Sequence, residues 1–138
     1  MRTQKLLENL SSYKELKNIL QENTSEFIAQ PLCDALAELL KEKNLTRAQA
    51  IRNSMLNTIY AQQIFTGSRT PSRDKLLAII FGMHLSFQEA DTLLKQQGYP
   101  RLYPRKERDA VIIYGLLHGL SLLDTNMLLY ENELETIL

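Results

Sequence analysis

The feature that most constrains this chain is its punctuation. A Ser or Thr followed three residues later by Glu or Gln occurs as Ser12/Glu15, Thr46/Gln49 and Ser86/Glu89. In such a pair the hydroxyl accepts from the backbone N–H three residues on, and the longer side chain returns to the N–H of the cap, so each pair marks a helix start. Asn57 and Ser72 are further N-caps, as is Ser121 with Asp124 at its third position, and Pro31 suits a first helical turn. The predicted helices run from Ser12 to about Gln21, from Pro31 through Leu32, Leu36, Leu39 and Leu40, over Arg47–Ser54 and over Thr58–Phe65. Others run from Ser72 to about His84, from Ser86 to a stop at Gly98, from about Lys106 to Gly119, and onward from Ser121. No stretch alternates as a strand does. With 7 % aromatics and no Trp, the composition agrees with an all-α fold. A chain of 138 residues is long enough to bury a substantial core.

Three parts follow: an N-terminal helical extension over 1–30, a helical domain over 31–98 and a C-terminal helical hairpin over 99–138. The linker between the last two contains Tyr-Pro-Arg twice (99–101 and 103–105), and each proline disfavours helix at the residue before it. A weak internal repeat crosses that boundary. Shifting by 35 residues aligns 73–98 with 108–133, placing Arg73-Asp74 on Arg108-Asp109, Leu85-Ser86 on Leu120-Ser121 and Leu93-Leu94 on Leu128-Leu129. The second hairpin either covers the first or offers a dimer surface; common origin and shared hairpin grammar account for the repeat equally well.

Formal net charge is zero, but its distribution is uneven. Residues 41–75 hold seven basic and two acidic side chains, a local net of +5, whereas 1–40 and 76–138 are net −2 and −3. Nearby charges set the field within a Debye length, so this segment suits phosphate contact despite the neutral whole, although a solvated helical face would also carry such charges.

Other chemistry finds little footing. Cys33 has no disulfide partner and reads as a small buried hydrophobe of a reducing compartment. His84 and His118 fall near helix ends, where they suit the last carbonyls. No Cys/His cluster has metal spacing, there is no Gly-rich phosphate loop, and no acid–base pair or nucleophile stands out, so neither enzyme nor cofactor is expected. The longest apolar run, 76–83, is far short of the ~20 residues of a membrane span, and the N-terminus lacks a signal-peptide core, which predicts a cytosolic protein. Tyr99 and Tyr103, beside Arg101 and Arg105, read as interdomain packing or a partner surface.

The predicted helices 47–54 and 58–65, joined by a tight turn, meet the physical requirement for placing a helix in the major groove. With Leu56, Ala61 and Ile64 inward, the outer side bears Thr58, Ile59, Gln62 and Gln63. A Gln amide can pair bidentately with adenine, and Thr or Ile methyls can meet the thymine methyl.

Residues 34–85 resemble the helix-turn-helix of Cro/XRE-type regulators. The resemblance rests on Leu36, Leu39 and Leu40, on Thr46-Arg47-Ala48-Gln49, on Asn57 to Ile64, on Gly67-Ser68-Arg69-Thr70-Pro71-Ser72 and on Lys75-Leu76-Leu77. It extends to a subset with Leu-Tyr-Pro-Arg (102–105), Arg-Asp-Ala-Val-Ile-Ile (108–113), His-Gly-Leu-Ser-Leu (118–122) and Leu-Leu-Tyr-Glu (128–131) behind the motif. It implies a repressor-like, DNA-binding transcriptional regulator that acts on double-stranded DNA as a homodimer. By position it places Thr58, Ile59 and Gln63 at the bases with Gln62 beside them, and Arg47, Asn57 and Arg69 at phosphates. The chain departs from the family in having Ile51 for a small residue and Met55 for the turn glycine. A left-handed Met55 would cost ~1–2 kcal/mol; otherwise the turn is remodelled. These departures, the zero net charge and the acidic end (Glu131, Glu133, Glu135) also fit a protein-interaction module on the same fold that has lost DNA binding.

Overall fold

A computed structural model describes residues 30–138, and the expected N-terminal extension lies outside them. The described residues form seven helices and no strand: α1 (Leu32–Lys43), α2 (Arg47–Ser54), α3 (Thr58–Thr66), α4 (Arg73–Gly82), α5 (Phe87–Gln96), α6 (Glu107–Leu117) and α7 (Leu122–Glu131). The chain is therefore all-α over this span.

Among the described residues the hydroxyl and Asn capping signals act where the sequence puts them, and the Ser12/Glu15 pair lies outside those residues. Thr46 Oγ1 accepts from the Gln49 amide while Gln49 Oε1 accepts from the Thr46 amide, at 3.1 and 2.9 Å, and Ser86 and Glu89 do the same for α5. Asn57, Ser72 and Ser121 accept from the third amides of α3, α4 and α7. Each satisfies a donor that the first helical turn leaves unpaired. Helix ends differ more from expectation. The fourth helix stops at Gly82 because His84 turns left-handed (φ 57°) and its amide donates back to Phe81. The sixth stops at Leu117, two residues before the left-handed Gly119.

α4 is the central rod. Every residue from Leu76 to Gly82 is buried, as expected of a helix apolar on all sides. The core around it joins Leu36 and Leu40 of α1, Ala50 and Ile51 of α2, Ala61 and Ile64 of α3, Leu93 and Leu94 of α5, and Ile112, Leu122 and Leu129 of the last hairpin. The second hairpin thus covers the first, through α4 against α7 and α5 against α6.

The repeat is structural as well as textual. Arg73 Nη1 and Nη2 donate to the two carboxylate oxygens of Asp109, both at 3.1 Å, and Arg108 does the same to Asp74 at 3.0 and 3.1 Å. Each Arg-Asp dipeptide therefore exchanges a bidentate ion pair with its counterpart. Arg73 also donates to the carbonyls of Pro100 and Arg101, and Arg108 to those of Glu135 and Thr136, the same residues after a 35-residue shift. Left-handed backbone recurs at His84 and Gly119 and again at Gly98 and Glu133. Buried Leu102 corresponds to buried Ile137, so the repeat reaches beyond position 133, to the last turn of the chain.

Cys33 and His118 depart from expectation, while Tyr99 and Tyr103 divide between the two roles expected of them. Cys33 is only partly buried, beside Gly67. Tyr99 is packed, its hydroxyl donating to the Pro71 carbonyl at 2.6 Å, whereas Tyr103 stands exposed. His118 lies against the ring of Tyr114, with centroids 4.2 Å apart, instead of reaching a carbonyl.

Candidate nucleic-acid interface

α3 is amphipathic in the sense the sequence required. Ala61, Ile64 and Phe65 are buried, and Leu56 is buried at the turn before it. Thr58 and Ile59 are exposed, and Gln62 and Gln63 are half-buried. At 100° per residue these four share the side opposite the core, and Ile59, 72 % exposed, lies near its centre. The helix runs one residue further than predicted, and the added Thr66 falls on the same face at the i+3 position from Gln63. The i, i+3, i+4, i+7 spacing of 59, 62, 63 and 66 was the signal for it.

The residues assigned to phosphate flank this face. Arg47 opens α2, and its Nη1 donates to Gln62 Oε1 at 3.2 Å. Arg69 follows α3 in the loop, and its Nε donates to Gln63 Oε1 at 2.8 Å. Both are exposed, and each guanidinium also lies over an aromatic ring, Arg47 5.7 Å from the centroid of Phe65 and Arg69 5.2 Å from that of Tyr60. Asn57 is exposed, but its side-chain oxygen is occupied by the Tyr60 amide at 3.1 Å. The coupling of Arg47 and Arg69 to the glutamines has no signal in residue spacing, because it depends on the angle between α2 and α3.

Between α2 and α3 the chain keeps the left-handed turn without glycine. Met55 has φ 61° and ψ 12°, and its amide donates to the Arg52 carbonyl. Its side chain is exposed and walls a notch with Arg52, Thr58 and Gln62. Ile51, the second departure from the family pattern, is buried in the core. Since Met55 contributes little burial, Met55→Gly relieves backbone strain of ~1–2 kcal/mol and returns part of that as unfolded-state entropy. The expected net effect is a stabilisation of about 1 kcal/mol, seen as a higher midpoint in urea with an unchanged slope.

Among the described residues no group of His, Cys, Asp and Glu is placed to hold a metal ion, and no helix is long and apolar enough to cross a membrane. No protein-family model matches the chain, and neither a curated protein nor a solved structure gives a significant match.

Proposed function

We propose that the chain is a sequence-specific DNA-binding regulator of the repressor-like helix-turn-helix kind, with α2 and α3 as the motif and α3 entering the major groove. The observation that carries this reading is the outward face of α3. Side chains able to reach base edges (Thr58, Ile59, Gln62 and Gln63) stand there between two arginines able to reach phosphate. The basic segment 41–75 supplies the field, and the α3 N-terminus adds its own positive dipole end. Such proteins pair across two half-sites about 34 Å apart. The second hairpin is the proposed homodimer surface, because Tyr114, Leu117, Leu123, Met127 and Tyr130 are exposed on it. A regulator of this kind would act in the cytoplasm and need no cofactor.

Fluorescence anisotropy with mixed duplex DNA tests the reading. If Arg47 and Arg69 of two protomers each neutralise a phosphate, log K falls with log[salt] at a slope of roughly −4, a loss on the order of 10² between 50 and 200 mM. Absence of salt-dependent binding at 50 mM would overturn it. The exposed apolar pair Met55 and Ile59 favours the second reading, a protein-interaction module. Its signature is one stoichiometric protein partner and no affinity for duplex.

A further inference from the structure

We infer that Arg47 and Arg69 are positioning residues that lock the amides of Gln62 and Gln63, so that both glutamines read guanine through their NH₂ groups. This rests on the DNA-binding reading above and specifies its chemistry. A guanidinium carries donors only. With Arg47 at 3.2 Å from Gln62 Oε1 and Arg69 at 2.8 Å from Gln63 Oε1, each amide is fixed with its oxygen towards the arginine. The two N–H bonds of Nε2 therefore point away from it.

The braces are built into the framework. Arg69 is tied to Gln63 twice, since its backbone amide donates to the Gln63 carbonyl at 3.2 Å, next to the Ser68 amide at 3.0 Å. The Arg69 guanidinium also lies over the Tyr60 ring, and that of Arg47 over Phe65. Each glutamine thus gives up rotamer freedom before any ligand arrives, which lowers the entropic cost of recognition.

The base class follows from donor arithmetic. Guanine presents two acceptors in the major groove, O6 and N7, whereas adenine presents N7 as acceptor and N6–H₂ as donor. Adenine would have to share the amide oxygen, through its second lone pair, with the guanidinium, and would bring its N6–H₂ donor against that positive charge. Guanine asks only for the NH₂ that the brace leaves outward.

The test selects binding sites from a random duplex pool with the full chain. Gln62→Ala and Gln63→Ala identify the base pair each glutamine reads, and Arg47→Ala and Arg69→Ala are then compared at those pairs. The wild type should select guanine at both, and each arginine variant should lose about tenfold of its guanine-over-adenine ratio at its own glutamine's pair, within the range a bidentate contact provides. A phosphate-only role predicts uniform weakening with unchanged preferences, and that result, or adenine at both pairs, overturns the inference while leaving DNA binding intact. In the free protein, Gln63 side-chain amide resonances should shift in Arg69→Ala and those of Gln62 should not; unmoved Gln63 resonances also overturn it. A wild type that binds no duplex removes the DNA reading itself, and the inference with it.

Discussion

Asp109→Ala is expected to destabilise the protein by roughly 3 kcal/mol, the lower end of the cost of breaking a buried ion pair. Asp109 is 4 % exposed and accepts three hydrogen bonds, two from the Arg73 guanidinium and one from the Tyr103 amide at 2.9 Å. Removing it leaves the Arg73 cation half-buried against two carbonyls and leaves the Tyr103 amide without its acceptor. The figure stays at the lower end because those carbonyls, of Pro100 and Arg101, still receive the arginine. The mirrored pair supplies the internal comparison. Asp74 is more exposed, its side chain at 35 % against 6 % for Asp109, so water screens Asp74→Ala and its expected cost is only about 1 kcal/mol. Urea titrations of the two variants decide the matter, and equal losses would show that burial does not set the value of these pairs.

The same residue fixes a pH dependence. Burial pushes the Asp109 carboxyl up, but the hydrogen bonds from Arg73 and the Tyr103 amide, with the charges of Arg73 and Lys106, outweigh it and hold the carboxyl below its ordinary value. A carboxylate depressed in the folded state contributes stability that is fully present above its unfolded pKa of about 3.9 and is lost as pH falls through the lower folded value. The gap between wild type and Asp109→Ala should therefore be constant near neutrality and narrow only below about pH 4.

What could be read from the letters divides along physical range. Caps are local, joining a side chain to an amide three residues on, and Thr46, Asn57, Ser72, Ser86 and Ser121 all cap as the letters indicate. Helix ends are local too, but Asn44, Met55, His84 and Glu133 enter left-handed backbone without being glycine. Asn and His tolerate that conformation better than most residues and Met55 stands where the resemblance expects glycine, but nothing in the Glu133 side chain announces it. The repeated Arg-Asp was visible as text, whereas its crossed pairing joins residues 34 and 36 positions apart and belongs to tertiary packing. The outward face of α3 followed from helical period alone. That Arg47 and Arg69 turn back onto it did not, since the first depends on how α2 crosses α3 and the second on the conformation of the loop after Gly67.

The α2–α4 crossing gives the other large expected effect. Gly82→Ala should cost about 3 kcal/mol even though alanine is the better helix former by ~1 kcal/mol, because overpacking of a tight contact costs 1–3 kcal/mol and occasionally more. A Cβ at position 82 would stand 2.5 Å from the Ala50 carbonyl oxygen and 2.9 Å from the Ser54 amide nitrogen. Both are backbone atoms of α2, so no side-chain rotation relieves the clash and one helix must retreat. The repeat shows why glycine is confined to this copy: its counterpart, Leu117, is 65 % exposed, with no second α2 lying across it among the described residues. Retreat of α2 would carry Arg47 away from Gln62, so on the proposed DNA-binding function the variant should also lose base discrimination under conditions where it remains folded. Gly119→Ala is the comparison for conformation without crowding, since its φ is 64° but nothing lies within 4 Å of a Cβ there; its expected cost is the left-handed penalty alone, about 1 kcal/mol. If thermal unfolding found Gly82→Ala as stable as the wild type, the close approach of α2 to α4 would be wrong, and with it the helix geometry that aims α3 outward.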